Sequence, residues 1–497
     1  MEKPKKGVYN HVLRYTGLFG GVQGWVLLMS LIRNKFAAVW LGSVGIGLID
    51  LYNRTLNLFS ALTQWVVPAA AVRALSLAYE GGNGEEMEEQ VMVVRSWAVL
   101  TSLIGMALCI LGAPWLSQLT YGTYSRWFHF VLLSPIIPLV AISGTELSIL
   151  KAMRRLKNVA WASCWGALML ALLTIPFYIW LGIRGVVPAL LCSTAAQVAV
   201  QLRYTLPLMP WRVKPFSLSL LKKGKGLVRF SIFYIAGSIV AAGSEYAIRY
   251  IMGNWGNVGE IGLYSSGVML TVAAGHFIFF AMDADYYPRL SACSLQRNKM
   301  NLTVNRQLEV SVLLLAPFLV FFDVCMPFVI RLLLTPAFLQ VVSMVVLATF
   351  YMFFKAATTP VAYIALARAD GRTFFVMETC YYVVFVLLIG TGFHVGGIPG
   401  TGLALSLAGL FDFTMITWVY HHQYGFRFSR QAVQTIAIQG ALVLLGILTC
   451  MMCTGWLLYA GGVLWGLVSL GYSLRVLSQR SSLKEILRFH RSVESGE

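Results

Sequence analysis

Charge is what this chain has least of. Only 12% of its 497 residues are Asp, Glu, Lys or Arg, against 58% hydrophobic residues, about half the charge of an ordinary soluble domain. Long polar stretches are missing too. The longest charged connector, around residues 207–227, is far too short to fold alone. The chain contains no HExxH, no GxSxG, no P-loop and no His/Cys cluster at metal spacing, so neither catalysis, a metal, a cofactor nor an ATP site is expected. Its eight cysteines form no paired framework. Cys450 and Cys453 have redox spacing but lie in an apolar run without a strand–helix setting, and are read as packing. No small-residue cleavage site follows the basic start MEKPKKGVYNHVLRY, so the first apolar run is expected to be a retained helix.

What the chain has in abundance is apolar runs of about 20 residues, each long enough to cross a hydrocarbon core of roughly 30 Å. In lipid the backbone must satisfy its own hydrogen bonds, and these runs do not alternate in polarity as barrel strands would. The expected fold is therefore all-α, polytopic, with about 14 spans. They fall near 14–37, 45–72, 93–115, 127–150, 158–180, 184–206, 228–252, 261–287, 308–330, 338–364, 373–393, 399–421, 432–453 and 457–477. With the N-terminus inside, 30 of the 38 Lys and Arg fall in inner segments, and only Arg126, Arg184 and Arg331 fall in outer loops. That asymmetry obeys the positive-inside rule and places both termini in the cytoplasm. The net charge of +18 then faces anionic headgroups and requires no nucleic acid.

An internal repeat divides the chain. WLGSVGIGLIDLY from Trp40 matches WGNVGEIGLYSSG from Trp255, pairing Gly42 with Gly256, Val44 with Val258, Gly45 with Gly259 and Gly47 with Gly262. Arg14 pairs with Arg229, RALS (73–76) falls near RLS (289–291), and GIRGVVPA (182–189) aligns with GIPGTGLA (397–404). Islands in one order at a nearly constant offset of 214–215 residues mark two halves of six helices each. An even number of helices gives both halves the same orientation, as parallel repeats. Transporters built this way bind substrate between the halves. The expected organisation is an N-terminal lobe (1–210), a cytoplasmic linker (211–227), a C-terminal lobe (228–430), a helix pair (431–480) and a basic tail (481–497).

Charges within the spans are costly and usually face a cavity or a partner. Asp50, Asn53, Arg54 and Asn57 share one face of the second span, and Asp50 can pair with Arg54 at i,i+4. A polar seam between helices could explain the amides; the arginine favours a wet cavity. Glu245 and Arg249 repeat the i,i+4 spacing in the seventh span, where Arg249 matches Lys35. Both cations approach the outer boundary, so a cavity role and snorkelling to water stand level. Lys355 sits mid-span, where snorkelling is hard. His276 reads as packing, and Glu146, Asp323, Glu378 and Asp412 lie nearer span ends and carry no assignment. AMDADYYPRL (281–290) closes the eighth span with Asp285 and Arg289 at i,i+4 around Pro288. With Arg73, its counterpart in the first half, it is either an inner gate or a capped helix end.

LGSVGIGLIDLYNRTLNLFSAL, and GEIGLYSSGVML…MDADYYPRLSA in the second half, resemble bacterial O-antigen translocases. These are lipid-linked oligosaccharide flippases of the multidrug/oligosaccharidyl-lipid/polysaccharide exporter superfamily. The likeness covers about the first 430 residues. It implies two six-helix lobes around a central cationic cavity in the bacterial inner membrane. Its implied substrate is an oligosaccharide on undecaprenyl diphosphate, moved to the outer leaflet by alternating access, with polysaccharide assembly enzymes as potential neighbours. Arg54, Asp50, Asn53, Asn57, Lys355, Arg249, Lys35 and Glu245 would line the substrate site, and Asp285, Arg289 and Arg73 the gate. A multidrug exporter of the same superfamily would favour acidic residues in the cavity, and a membrane-embedded polymerase would need a large outer loop or a catalytic acid pair. A monomer is the default, since one chain holds both halves.

Overall fold

The structure is a computed structural model describing residues 6–63, 68–80, 84–121, 123–281, 286–368 and 370–480, with backbone alone over 6–20, 225–231 and some shorter stretches. The regular elements among the described residues are all helical, as the apolar runs require. Nine helices among them are long and apolar enough to cross a membrane. Some are long enough for more than one crossing: Gly371–Tyr424 has 54 residues with a non-helical turn at Gly397, leaving two arms of about 40 Å each at 1.5 Å per residue.

Compact packing divides the chain into two units, residues 1–262 with 333–335, and 263–332 with 336–497. The first contains α1 (Lys6–Thr63), α2 (Pro68–Glu80), α3 (Gly84–Tyr121), α4 (Trp127–Leu133), α5 (Ile136–Ala152), α6 (Leu156–Leu181), α7 (Val186–Thr205) and α8 (Leu218–Trp255). Its main core gathers Leu48, Tyr52, Leu56, Cys109, Phe130, Ile137, Tyr178 and Ala189. The second contains most of α9 (Val258–Ala281), followed by α10 (Tyr287–Cys293), α11 (Arg297–Leu333), α12 (Val342–Leu347), α13 (Thr349–Ala367), α14 (Gly371–Tyr424), α15 (Arg430–Met452) and α16 (Trp456–Arg480). Its core is built on α11, α13, α14 and α15, around Val312, Leu319, Phe353, Ala357, Ile416 and Val443. Apolar side chains such as Leu111, Phe328, Leu387, Trp418 and Leu467 are exposed on the spans, which suits a surface solvated by lipid.

Two expected spans are interrupted among the described residues, while residues 64–67 of the second (45–72) lie outside them. The fourth (127–150) breaks between Leu133 and Ile136, around Pro135. The tenth (338–364) breaks between α12 and α13, where Ser406 enters the backbone ladder. Its Oγ donates to the Leu347 carbonyl at 2.6 Å and accepts from the Tyr351 amide at 3.2 Å. A side chain inserted in this way bends a helix.

The repeated glycines have a structural counterpart. Gly182 (φ 56°, ψ −135°) and Gly397 (φ 57°, ψ −143°) take the same conformation, one open only to glycine. Three residues on, a Cβ at Gly185 would lie 2.2 Å from the Phe177 carbonyl oxygen, and one at Gly400 would lie 2.1 Å from that of Gly392. In each unit the chain therefore reverses at one glycine and packs back on itself at the other. Gly47 and Gly262 meet reciprocally: a Cβ on Gly47 would lie 2.0 Å from the Val258 carbonyl oxygen, and one on Gly262 would lie 1.9 Å from that of Ser43. Gly47 and Gly262 are the pair that the sequence repeat matches at an offset of 215.

Candidate functional site

A four-charge cluster lies where α1 packs on α8, inside the first unit. Asp50 and Arg54 project from one face of α1, and Glu245 and Arg249 from one face of α8, each pair one helical turn apart. Asp50 bridges the helices: Oδ1 accepts from Arg54 Nε at 3.2 Å and Oδ2 from Arg249 Nε at 2.7 Å. Glu245 Oε2 accepts from Arg249 Nη1 and lies 3.7 Å from Arg54 Nη1. Each carboxylate thus faces both guanidinium groups, and the cluster is neutral.

The two arginines differ in access. The Arg249 side chain is 0% exposed, whereas that of Arg54 is 30% exposed. A buried guanidinium with two carboxylate partners is a fixed counter-charge; a partly solvated one can exchange partners. Within this cluster the carboxylates offset the charge of the arginines, and of the two arginines Arg54 is the accessible one. Asn53 is half-buried and Asn57 exposed on the same helix, neither with a hydrogen bond to a described residue. Lys35 is not brought into the cluster: its ammonium donates to the Leu334 carbonyl.

Lys355 lies in the second unit and has its own partners. Nζ is 2.8 Å from Asp412 Oδ2, 4.5 Å from the Tyr381 ring centroid and 5.8 Å from that of Tyr351. The two tyrosine hydroxyls are 3.3 Å apart, and Glu378 adds a second negative charge within electrostatic reach. Asp412 had no assignment from sequence, although a lysine in mid-span needs a buried counter-ion, and Asp412 on the adjoining helix is 4% exposed. Asp323, also unassigned, accepts from Thr349 Oγ1 at 2.6 Å.

A further buried pair was hidden among the charges assigned to inner loops and span ends. Arg95 on α3 and Glu146 on α5 form two 2.7 Å contacts, with side chains 1% and 0% exposed. Arg95 also reaches the carbonyls of Met209 and Pro210 and lies over the Trp211 ring. It joins α3 and α5 to the connector before α8. Of the three gate residues, Arg289 lies exposed on α10. Asp285 and the side chain of Arg73 are outside the described residues. Tyr286, next to Asp285, is buried and donates to the Pro360 carbonyl at 2.6 Å. Among the described residues no group of three His, Cys, Asp or Glu could hold a metal.

Two independent likenesses bear on this arrangement. The fold is similar to that of a lipid II flippase, MurJ, in an inward closed conformation, with a TM-score of 0.71 at 14% identity over 93% of this chain and 99% of that one. It is also similar to an inward-facing multidrug resistance MATE transporter of the MOP superfamily, with a TM-score of 0.65 at 13% identity over 79% of this chain and 94% of that one. A second MATE multidrug transporter, DinF-BH, follows at 0.57 and 16% identity, over 81% and 93% of the two chains. No curated protein sequence matches the chain. The sequence profile of one family matches residues 83–343, more than half its length: the chain belongs to the polysaccharide biosynthesis protein family, in the fold that MurJ and the MATE transporters share.

Proposed function

We propose that this protein moves an undecaprenyl-diphosphate-linked oligosaccharide, an O-antigen or related surface polysaccharide unit, across the bacterial inner membrane by alternating access. The observation that carries the reading is the partly exposed Arg54 held between Asp50 and Glu245 beside the buried Arg249. A diphosphate offers the same planar pairs of anionic oxygens as a carboxylate. It would take Arg54 from its carboxylates, while Arg249 continues to neutralise both. Binding then exchanges one partner for another without stripping a lone charge of its solvation, which in a low-dielectric site would be costly. Asn53 and Asn57 are placed on the same helix to meet sugar hydroxyls. Family membership supports a polysaccharide precursor, and the likeness to a lipid II flippase supports a lipid-linked one. Transport rather than catalysis is the activity proposed, with both termini cytoplasmic and Arg73, Asp285 and Arg289 at the inner gate.

A second reading, export of organic cations, draws on the acid–aromatic setting of Lys355, where a cationic ligand could compete for Asp412 and the two tyrosine rings. Proteoliposomes separate the two. Wild type should translocate a fluorescent undecaprenyl-diphosphate oligosaccharide, and Arg54→Ala should fold normally yet lose at least tenfold in rate. Equal rates in both proteins would remove the cluster from the mechanism. Movement of ethidium but not of the lipid would replace the flippase with the exporter.

A further inference from the structure

We infer that a cleft at the basic end of the second unit, between α11, the α14–α15 turn and α16, binds the phosphate headgroup of an anionic phospholipid. The inference needs the chain to span a membrane, and does not depend on what it transports. The cleft encloses about 730 Å3. Asn305 and Ser429 at its floor are already engaged. Asn305 Nδ2 donates to the carbonyls of Asn301 and Arg427 at 2.8 and 2.9 Å, and Oδ1 accepts from the Ser429 amide at 2.8 Å. Ser429 in turn donates to Glu309 at 3.2 Å and caps α15 through the Ala432 amide at 3.0 Å.

The charges on the lip are different. Arg306 and Arg427 both line the cleft and are exposed, and neither forms an ion pair with a described residue. The one acid in the lining, Glu309, is buried and engaged with Ser429. Two guanidinium groups beside one tied carboxylate leave an excess positive charge at the mouth, and the N-terminus of α15 adds its partial positive charge to the same wall. Guanidinium forks match the paired oxygens of a phosphate.

Depth and lining point to a lipid. The cleft lies where α11 leaves its polar first turns (Arg297, Lys299, Arg306) and enters its apolar length, the level at which headgroups sit. Leu313, Val476 and Leu477 form its apolar wall, and Leu302 and Val310 at its rim are exposed. A soluble phosphate has no use for that wall, whereas the glycerol and first acyl carbons of a phospholipid do. Each basic side chain at a headgroup surface strengthens binding about fivefold, so the two together are worth roughly 30-fold.

The test uses the purified full chain in neutral detergent, titrated with phosphatidylglycerol or phosphatidylcholine and read by thermal unfolding and by native mass spectrometry of retained lipid. Phosphatidylglycerol, and not phosphatidylcholine, should raise the unfolding temperature of wild type. Arg306→Gln/Arg427→Gln should retain phosphatidylglycerol roughly 30-fold less well. Arg306→Lys/Arg427→Lys should keep most of the effect, and Arg430→Gln, adjacent in sequence but outside the lining, should keep all of it. Three results would overturn the assignment: no preference for the anionic lipid in wild type, equal retention by the double glutamine variant, or the same arginine-dependent stabilisation by inorganic phosphate alone. Dependence on the two arginines for undecaprenyl diphosphate but not phosphatidylglycerol would overturn it as well, by placing the cleft on the transport route.

Discussion

Truncating Glu146 to alanine should destabilise the first unit by about 3–5 kcal/mol, the cost of breaking a buried ion pair from one side. Arg95 is 1% exposed and Glu146 0%, so water cannot replace the lost carboxylate. The guanidinium would keep only the Met209 and Pro210 carbonyls, at 2.8–3.4 Å, and the Trp211 ring at 5.0 Å. Those neutral acceptors offset part of its charge, which places the expected cost at the lower end of the range. At about 1.4 kcal/mol per tenfold, 3 kcal/mol raises the unfolded fraction roughly 100-fold. Thermal unfolding in detergent, followed by size-exclusion of the heated sample, reads this directly. The discriminating variant is Arg95→Met/Glu146→Leu, which removes both charges and keeps the volume filled. It should recover at least half of the loss, short of full recovery because two backbone carbonyls lose their donor. The reasoning fails if Glu146→Ala costs less than about 1 kcal/mol, the worth of an exposed pair, or if the double variant is no more stable than the single one.

Gly262→Ala and Gly47→Ala should each cost roughly 1–3 kcal/mol by overpacking the α1–α9 crossing. Gly396→Ala, with nothing within 4 Å of its added Cβ, should cost nothing; comparable losses at all three would refute the crossing. In the second unit, Lys355→Met strands Asp412 and should lower stability by about 3–5 kcal/mol, with Lys355→Met/Asp412→Leu recovering most of it. Unfolding temperatures of the two variants decide the point. Asp370 caps α14: burial acts to raise its carboxyl pKa, but hydrogen bonds from the Thr373 amide and hydroxyl and the Tyr424 hydroxyl, together with Arg372, hold it below the ordinary aspartate value. A lowered folded pKa gives stability that is fully present above about pH 3.9 and is lost as pH falls through the folded value. Asp370→Ala should cost about 0.5–2 kcal/mol at neutral pH, and the gap from wild type should narrow on acidification toward about pH 3. A gap independent of pH would show that the carboxylate charge contributes nothing.

Much of the architecture was legible because lipid leaves the backbone few choices. Apolar runs of span length had to become helices, and one repeated glycine pair, Gly182 and Gly397, shares a backbone conformation, whereas Gly42 (φ 66°) and Gly256 (φ −134°) do not. Acid–base pairs at i,i+4 could also be read, since both members ride on one helix: Asp50 with Arg54, Glu245 with Arg249. The interrupted spans were less visible. Ser406 bends the α12–α13 junction from more than 50 residues away, and no local pattern announces that contact.

Sequence by itself therefore determined the class of fold, the helical segments, the repeat and the list of charges too costly to leave alone in a bilayer. Only the tertiary structure decided which of those charges neutralise one another. Hydropathy and helical period are properties of one segment, whereas a counter-ion is chosen by packing between segments. That is why Arg249 proved to be a buried strut for Asp50, why Lys355 found Asp412, and why the Arg95–Glu146 pair stayed hidden among residues that looked like span ends.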